Sequence, residues 1–217
     1  MPANLATHEP IGSVETTSGL TPFTESVAEK SGQVFKLGVP VQANAGFMQE
    51  WDGATLTGAI AGFSLIPGSN LSTNGKGAPG AFSQIGPPGS IQTYGSVPNQ
   101  PAAFNIAVGA PITDGRTLFE GSLGLTIFEG TFDNSAGAVA ADYTPLQSQI
   151  GTQFGLTKDA NGQWYVDNDK VTPGTNTVVV MVGINPIDQV AAGTPNTYIV
   201  NARVRFQVLA AARQIVT

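Results

Sequence analysis

The chain has 217 residues, 41% of them hydrophobic, which is enough for one large or two small domains with a real core. Charged residues make up only 11% of the chain and the formal net charge is −6, whereas soluble domains usually carry about 25% charged residues. An acidic chain argues against nucleic-acid binding, which needs clustered Lys and Arg. Low charge is typical of a protein whose surface contacts other proteins.

The chain contains no cysteine. It therefore has no disulfide, no thiolate metal site and no thiol nucleophile. No apolar run approaches the ~20 residues that cross a bilayer, and the N-terminus has neither the basic start nor the apolar core of a signal peptide. We expect neither a cleavable signal nor a membrane anchor.

The first predicted element, residues 1–31, is an extended N-terminal arm. It contains four glutamates, no positive charge before Lys30 and no regular hydrophobic period. Such an arm either docks on another surface or remains a frayed terminus. The sequence leaves both open.

Residues 32–66 then predict short β-strands. Asp52-Gly53 is a hairpin signal, because both central residues of a type I′ turn need positive φ. Gly58 and Gly62 interrupt a β-like run, which indicates bulges or a close approach of backbones, as in a small and strongly bent barrel.

The tract 67–101 contains six prolines and seven glycines, and Lys76 is its only charged residue. A structureless loop of this length is unusual inside a domain and usually signals function or disorder. We predict a projecting loop that is ordered by contact with a neighbour. A flexible linker is the alternative.

Residues 102–217 are again rich in predicted strands. Residues 151–170 predict a β-hairpin with its turn at 159–163, and the β-branched run 177–182 predicts a strand buried on both faces. Residues 201–209 alternate, with Arg203 and Arg205 on one face. A solvated face or structural ion pairs explain these two arginines better than a phosphate site does.

No catalytic arrangement emerges from the sequence. His8, the single histidine, is predicted to be a surface residue of the arm, which makes it a poor candidate for a catalytic base. Asp167 and Asp169 flank a turn and are expected to cap backbone amides. Asp159 and Asn161 could suggest calcium, but they lack EF-hand spacing, and turn chemistry explains them.

We therefore predict no catalytic residue, no cofactor and no metal, and a protein that is not an enzyme. The predicted fold is all-β: a small β-barrel or a jelly-roll-like sandwich, with the arm at 1–31 and one β-rich domain at 32–217. Within that domain, 32–66 supplies the first barrel strands, 67–101 the Gly/Pro-rich loop and 102–217 the remaining strands. A jelly roll and a smaller barrel with a second sheet both accommodate ~10 short strands.

Several of these tracts are similar to a known family. Residues 154–159, 164–167 and 203–209 resemble the C-terminal half of tailed-bacteriophage capsid decoration, or cement, proteins. Residues 32–63, with the sequence FMQEWDG at 47–53, are similar to the N-terminal barrel of such proteins. The similar tracts cover about half the chain, and the 67–101 tract is outside them.

The resemblance implies a structural protein of the virion, made in the host cytoplasm and bound to the outer capsid surface. It implies that the partners are the major capsid protein and further copies of the chain, as a homotrimer, without nucleic acid or membrane. The candidate contact residues are apolar positions in polar or flexible surroundings: Leu5, Ile11, Phe23, Phe82, Ile85 and Tyr94. Packing on their own subunit is the alternative for each of them.

Two other functions stay open at this point. A receptor-binding or carbohydrate-binding module of a head fibre or tail would be favoured if Trp51, Trp164 and Tyr165 were exposed on one surface. A phage glycan hydrolase would need two carboxylates facing each other at roughly 5–10 Å.

Overall fold

The computed structural model describes residues 8–17, 22–30, 35–65, 116–122, 126–136, 144–171, 176–189 and 202–214. Four of the candidate contact residues (Leu5, Phe82, Ile85 and Tyr94) lie outside the described residues, as does the whole 67–101 tract.

The described chain is built from strands, as the sequence predicts. They are β1 (Gly12–Thr16), β2 (Thr24–Ala28), β3 (Pro40–Asn44), β4 (Phe47–Glu50), β5 (Gly62–Ser64), β6 (Arg116–Gly121), β7 (Thr126–Asp133), β8 (Gln153–Lys158), β9 (Trp164–Asp167), β10 (Val179–Ile184) and β11 (Arg203–Val208). The helical elements among the described residues are short 3-10 turns at Gln147–Gln149 and Pro186–Asp188. The all-β prediction is confirmed.

The first sheet closes into a barrel. Its order is β1-β7-β11-β10-β8-β9, and the end of β7 also pairs in parallel with β9, Phe132 opposite Val166 and Asp133 opposite Asp167. Strands β7, β11, β10, β8 and β9 therefore form a closed ring of five, and β1 pairs with the first half of β7. Closure removes the exposed strand edges that an open sheet would present.

The second sheet has the order β2-β6-β5-β3-β4. Its two outer strands approach each other after β2, where Glu29 forms a bridge with Met48 and the Lys30 amide donates to the Met48 carbonyl at 2.8 Å. Strand β6 follows the 67–101 tract, so this sheet combines strands from both sides of that tract. A small barrel with a second sheet, and not a jelly roll, describes the arrangement.

The two sheets share one hydrophobic core. The Phe63 ring of β5 lies 4.5 Å from the Phe128 ring of β7 and 5.9 Å from the Phe206 ring of β11, centroid to centroid. All three side chains are almost completely buried. Aromatic ring pairs of this kind stabilise a fold beyond the gain from burying their apolar surface. The Phe63 contacts therefore hold the second sheet against the barrel.

Gly62 shows why glycine interrupts the strand run. A Cβ at this position would collide with the backbone of Glu120 on β6 and with the Phe119 ring. The predicted close approach of backbones is therefore present at Gly62.

The predicted arm is extended, but its described part belongs to the sheets. Strand β1 pairs with β7, and β2 pairs with β6 over all five of its residues. Ile11 is 3% exposed and belongs to the core. The described residues of the arm therefore pair with strands β6 and β7 of the predicted 32–217 domain.

The hairpin at 151–170 is confirmed as β8 and β9, with Gly162 at φ +84° in its turn. The hairpin predicted at Asp52-Gly53 is wrong. Strand β4 instead turns back on β3, through Ala45 and Gly46 at φ +52° and +85°. The Asp52 carboxylate accepts from the amides of Ala54 and Thr55, so it organises a local turn.

The strand predicted at 177–182 is present as β10, but its burial is one-sided. Val179 and Met181 are buried, while Val180 and Val182 are partly exposed. Barrel closure explains the difference, because a barrel strand presents alternate side chains to the interior and to the outside.

Candidate functional site

His8 is buried, contrary to the prediction that it is a surface residue. Strand β1 runs antiparallel to β7 with Gly12 opposite Glu129. Continuing that register backwards along the chain brings His8 to the level of Asp133, at the end of β7. The His8 residue is only 5% exposed there.

The ring of His8 lies between two carboxylates. Nε2 is 2.7 Å from Oδ2 of Asp133, and Nδ1 is 2.8 Å from Oδ2 of Asp159 in the β8–β9 turn. The ring stacks on Tyr165 of β9, with centroids 4.4 Å apart and planes 19° apart. We call these residues, together with Asp167 opposite Asp133 in the β7–β9 pair, the His8 cluster.

The geometry assigns the protons in this cluster. A carboxylate only accepts hydrogen bonds, so both ring nitrogens are placed to donate, and the two contacts favour the imidazolium form of His8 between two negative charges. Burial alone would lower the pKa of His8, but the hydrogen bonds and charges of Asp133 and Asp159 outweigh it and raise the pKa. Burial alone would raise the pKa of Asp159, and its hydrogen bond with His8 contributes to the opposite, downward shift.

The remaining acceptors of the cluster hold backbone amides. Oδ1 of Asp133 accepts from the Asn134 amide at 2.7 Å. Oδ1 of Asp167 accepts from the amides of Ser135 and Asp169, each at 3.0 Å, and its Oδ2 accepts from the Thr157 hydroxyl. The predicted capping role of Asp167 is thereby confirmed, and Asp159 also accepts from the Gln163 amide.

The cluster is therefore arranged to hold chain segments together. With both nitrogens donating, His8 has no lone pair with which to abstract a proton from a substrate. Burial, followed by the negative charges of Asp167, Asp133 and Asp159, raises the pKa of the Tyr165 hydroxyl and keeps it neutral.

The two arginines of β11 form structural ion pairs, which is one of the two alternatives to a phosphate site that the sequence leaves open. Nε of Arg203 lies 2.8 Å from Asp188. Arg205 lies 3.4 Å from Glu129 of β7 and 3.3 Å from Glu15 of β1. We call these five residues the arginine ladder; it crosses the outer face of β1, β7 and β11.

Of the candidate contact residues that the structure describes, Phe23 is 49% exposed and is available to a partner. Ile11 packs in its own core, which is the alternative that the sequence left open, so it is not available as a contact. The other exposed large apolar side chains among the described residues are Val14, Leu37, Leu118, Leu146, Ile150 and Ile187.

The three aromatic side chains that would mark a glycan-binding surface are buried. Trp51, Trp164 and Tyr165 are between 3% and 5% exposed. The indole of Trp51 donates to the Thr55 carbonyl, and that of Trp164 donates to Oε1 of Glu50, both at 2.8 Å. The two indole rings lie 5.1 Å apart, centroid to centroid, and join the residue after β4 of the second sheet to β9 of the barrel.

The described residues contain no group of three or more His, Cys, Asp or Glu side chains placed to hold a metal. In the same part of the chain, no helix is long and apolar enough to cross a membrane. Comparisons with protein-family models, with curated proteins and with solved structures give no match to the chain.

Proposed function

We propose that the protein is a structural component of a tailed-phage virion, which binds the outer capsid surface and cements adjacent major capsid subunits. The observation that supports this proposal is the position, in the fold, of the tracts that resemble phage decoration proteins. Residues 154–159 and 164–167 are β8 and β9, and residues 203–209 contain β11. The tract 32–63 contains β3, β4 and the start of β5. The resemblance therefore lies in the strands that build both sheets.

The polar chemistry of the described residues supports a structural role. Both nitrogens of His8 and the carboxylates around it are engaged in contacts within the chain. The aromatic side chains that would favour a carbohydrate-binding module are in the core. Phe23, a large apolar side chain beside the outer strand β2, is open to a protein partner.

The proposed mechanism is multivalent clamping by a homotrimer. Each copy binds weakly, and after the first contact the later contacts become intramolecular. Such coupling can raise the overall affinity by ~10²–10⁴. A charge-poor surface suits this role, because it lowers the cost of removing charges from water at the interface.

Binding to expanded, undecorated capsids of the phage tests the proposal. Deleting all of residues 1–30 would remove β1 and β2 together with buried His8, Ile11 and Glu29, so lost binding could reflect unfolding. Two other variants give a clearer test than this deletion, because each keeps every described strand. They are a truncation of residues 1–7 and the substitution Phe23→Ser. We expect Phe23→Ser to weaken capsid binding by at least about tenfold, as loss of a central apolar anchor does.

Ile187→Ser is the matched control, because Ile187 is 82% exposed and is not among the candidate contacts. It should leave capsid binding unchanged. Wild-type protein that does not sediment with the capsids, or that electron microscopy finds only at the tail, would reject the cement function. Intact binding by Phe23→Ser would reject Phe23 as an anchor.

A further inference from the structure

We propose that His8 is a protonation-dependent latch: while charged, it holds the segment before β1 against the end of β7 and the β8–β9 turn, and it releases that segment when the ring loses a proton. This inference is independent of capsid binding. It concerns a device within the chain, and it applies whatever the partner is.

The two contacts of the His8 ring are equivalent. Each ring nitrogen faces a carboxylate oxygen at hydrogen-bond distance, 2.7 Å to Asp133 and 2.8 Å to Asp159. Removing either proton sets a nitrogen lone pair against a negative oxygen. The three side chains are between 2% and 10% exposed, so little water is present to replace the lost bond.

Several titratable groups face the ring of His8 from the elements packed against it. Asp133 comes from β7, Asp159 from the turn, and Tyr165 and Asp167 from β9, while Glu9 follows on the segment itself. All of them are acidic. Lys158 pairs with Trp164 across the hairpin and so lies on the face opposite to Tyr165, where it forms an ion pair with Glu50 at 2.8 Å.

These surroundings favour the cation and raise the pKa of His8. The latch is therefore closed below the raised pKa of His8 and opens as the pH rises through it. The neutral Tyr165 hydroxyl does not titrate in this range, because its own pKa is raised.

The latch secures the segment that leads from His8 into strand β1. One residue after His8, the Glu9 amide donates to the Thr131 hydroxyl at 3.2 Å. Three residues after it, Ile11 enters the core against Gly130 and is followed by β1. Strand β1 is added outside the closed ring of five strands, so it can open while the ring persists, as peripheral elements do in local unfolding.

The test uses the full wild-type chain, in which the single histidine gives one assignable imidazole signal by nuclear magnetic resonance. We expect the pKa of His8 to lie above the usual value near 6.5. Hydrogen exchange of the β1 amides, corrected for the intrinsic effect of pH, should accelerate about tenfold for each pH unit above that pKa. A His8 pKa at or below 6.5 would overturn the latch. So would hydrogen-exchange protection of the β1 amides that does not change as His8 titrates.

Two variants separate a latch from a static contact. Asp133→Asn and Asp159→Asn each remove one negative charge and retain one side-chain oxygen to accept from the ring, while the backbone amide held by the other oxygen, that of Asn134 or Gln163, loses its acceptor. Each should lower the pKa of His8 by about one unit and shift the pH of β1 opening by the same amount. Glu9→Gln is the matched control: Glu9 is exposed, and this variant should shift both midpoints far less.

If the pKa of His8 moves in the carboxylate variants and the pH of β1 opening does not follow, the latch is rejected. If a variant does not fold, the wild-type titration still decides the question.

Discussion

The His8 cluster and the arginine ladder fasten the same part of the chain with the same chemistry, but they differ in burial. Both connect the N-terminal residues to β7, the former through Asp133 and the latter through Glu129. The ionised side chains of the His8 cluster are at most 10% exposed, whereas Arg203 and Arg205 are each 31% exposed and Glu15 is 52% exposed. Water and salt can therefore reach one network and hardly reach the other.

The difference shows why a count of ion pairs says little about stability. An exposed ion pair is worth ~0–1 kcal/mol, because solvent screens the charges and the long side chains lose entropy. A buried pair is not necessarily worth more as a whole, since burying its charges is costly. Removing one partner from a buried pair is nevertheless expensive, because the other charge is left without compensation.

The largest expected effect is that of Asp133→Ala. It leaves the buried His8 facing a cavity and removes the acceptor for the Asn134 amide. We expect a loss of about 3–5 kcal/mol in the free energy of unfolding, measured by urea denaturation. Asp169→Ala is the matched control: Asp169 is exposed in the neighbouring turn, and the change should be within about 0.5 kcal/mol. Equal losses in the two variants would show that the buried partner of His8 contributes no more to stability than an exposed carboxylate does.

Glu50 provides an intermediate case. One of its carboxylate oxygens accepts from the buried Trp164 indole, and the other is paired with Lys158, which is 40% exposed. Glu50→Ala leaves the indole N–H without its acceptor and should cost about 1–3 kcal/mol in the free energy of unfolding. Glu50→Gln retains a carbonyl oxygen for the indole and loses only the exposed ion pair, so its cost should be below about 1 kcal/mol.

Comparing the two Glu50 variants by urea denaturation separates the hydrogen bond from the charge. If Glu50→Gln were as destabilising as Glu50→Ala, the charge of Glu50 would dominate, and partial exposure would matter less than the comparison of the two networks implies.

The pH dependence of stability distinguishes the two networks, because the His8 cluster loses stability on the alkaline side as well as on the acid side. Because the pKa of His8 is raised in the folded chain, its stabilising contribution is complete below about pH 6.5 and is lost as the pH rises through the folded value. The folded pKa of Asp159 and of Asp188 is lowered, in Asp188 because the hydrogen bond from Arg203 outweighs burial. Their contributions are present above about pH 4 and are lost as the pH falls.

Of the two networks, the His8 cluster is therefore the one whose contribution to the free energy of unfolding is lost at alkaline pH. The difference in unfolding free energy between wild type and His8→Gln should shrink by about 1.4 kcal/mol for each unit by which the pKa is raised, as the pH rises above 6.5. The difference between wild type and Arg203→Gln should stay flat over the same range. A flat profile for His8→Gln would show that the charge of His8 does not stabilise the fold.

The sequence predicts that Arg203 and Arg205 share one face of a strand, but it does not predict the His8 cluster, and the reason is physical. Arg203 and Arg205 lie two residues apart in an alternating strand, so the period of a strand places them on one face. The contacts of His8 span 125 and 151 residues of sequence. They depend on the register of β1 against β7, and no local period encodes that register.

The fold likewise has parts that local sequence predicts and parts that it does not. Alternation and turn residues predict β8, β9 and β11, because the signals for a strand and its tight turn lie within about ten residues of each other. The turn at Ala45-Gly46 was missed because Asp52-Gly53 matches the usual type I′ sequence better, although Gly46 was a usable signal. Closure of the barrel through β7 and β9 depends on strand order, and local sequence does not set it.

The smallest expected effect is that of Arg205→Ala in the arginine ladder. Its two contacts, 3.3 Å to Glu15 and 3.4 Å to Glu129, are longer than the 2.8 Å contact of Arg203 with Asp188. We expect a loss of about 0.5 kcal/mol in the free energy of unfolding at low salt, less than for Arg203→Ala. Raising the salt from about 0.01 M to about 1 M shortens the screening length from ~30 Å to ~3 Å, so the loss should almost vanish. The loss caused by Asp133→Ala should persist under the same change, because its partner is out of reach of the ions. If salt reduced both losses equally, burial would not be what distinguishes the two networks.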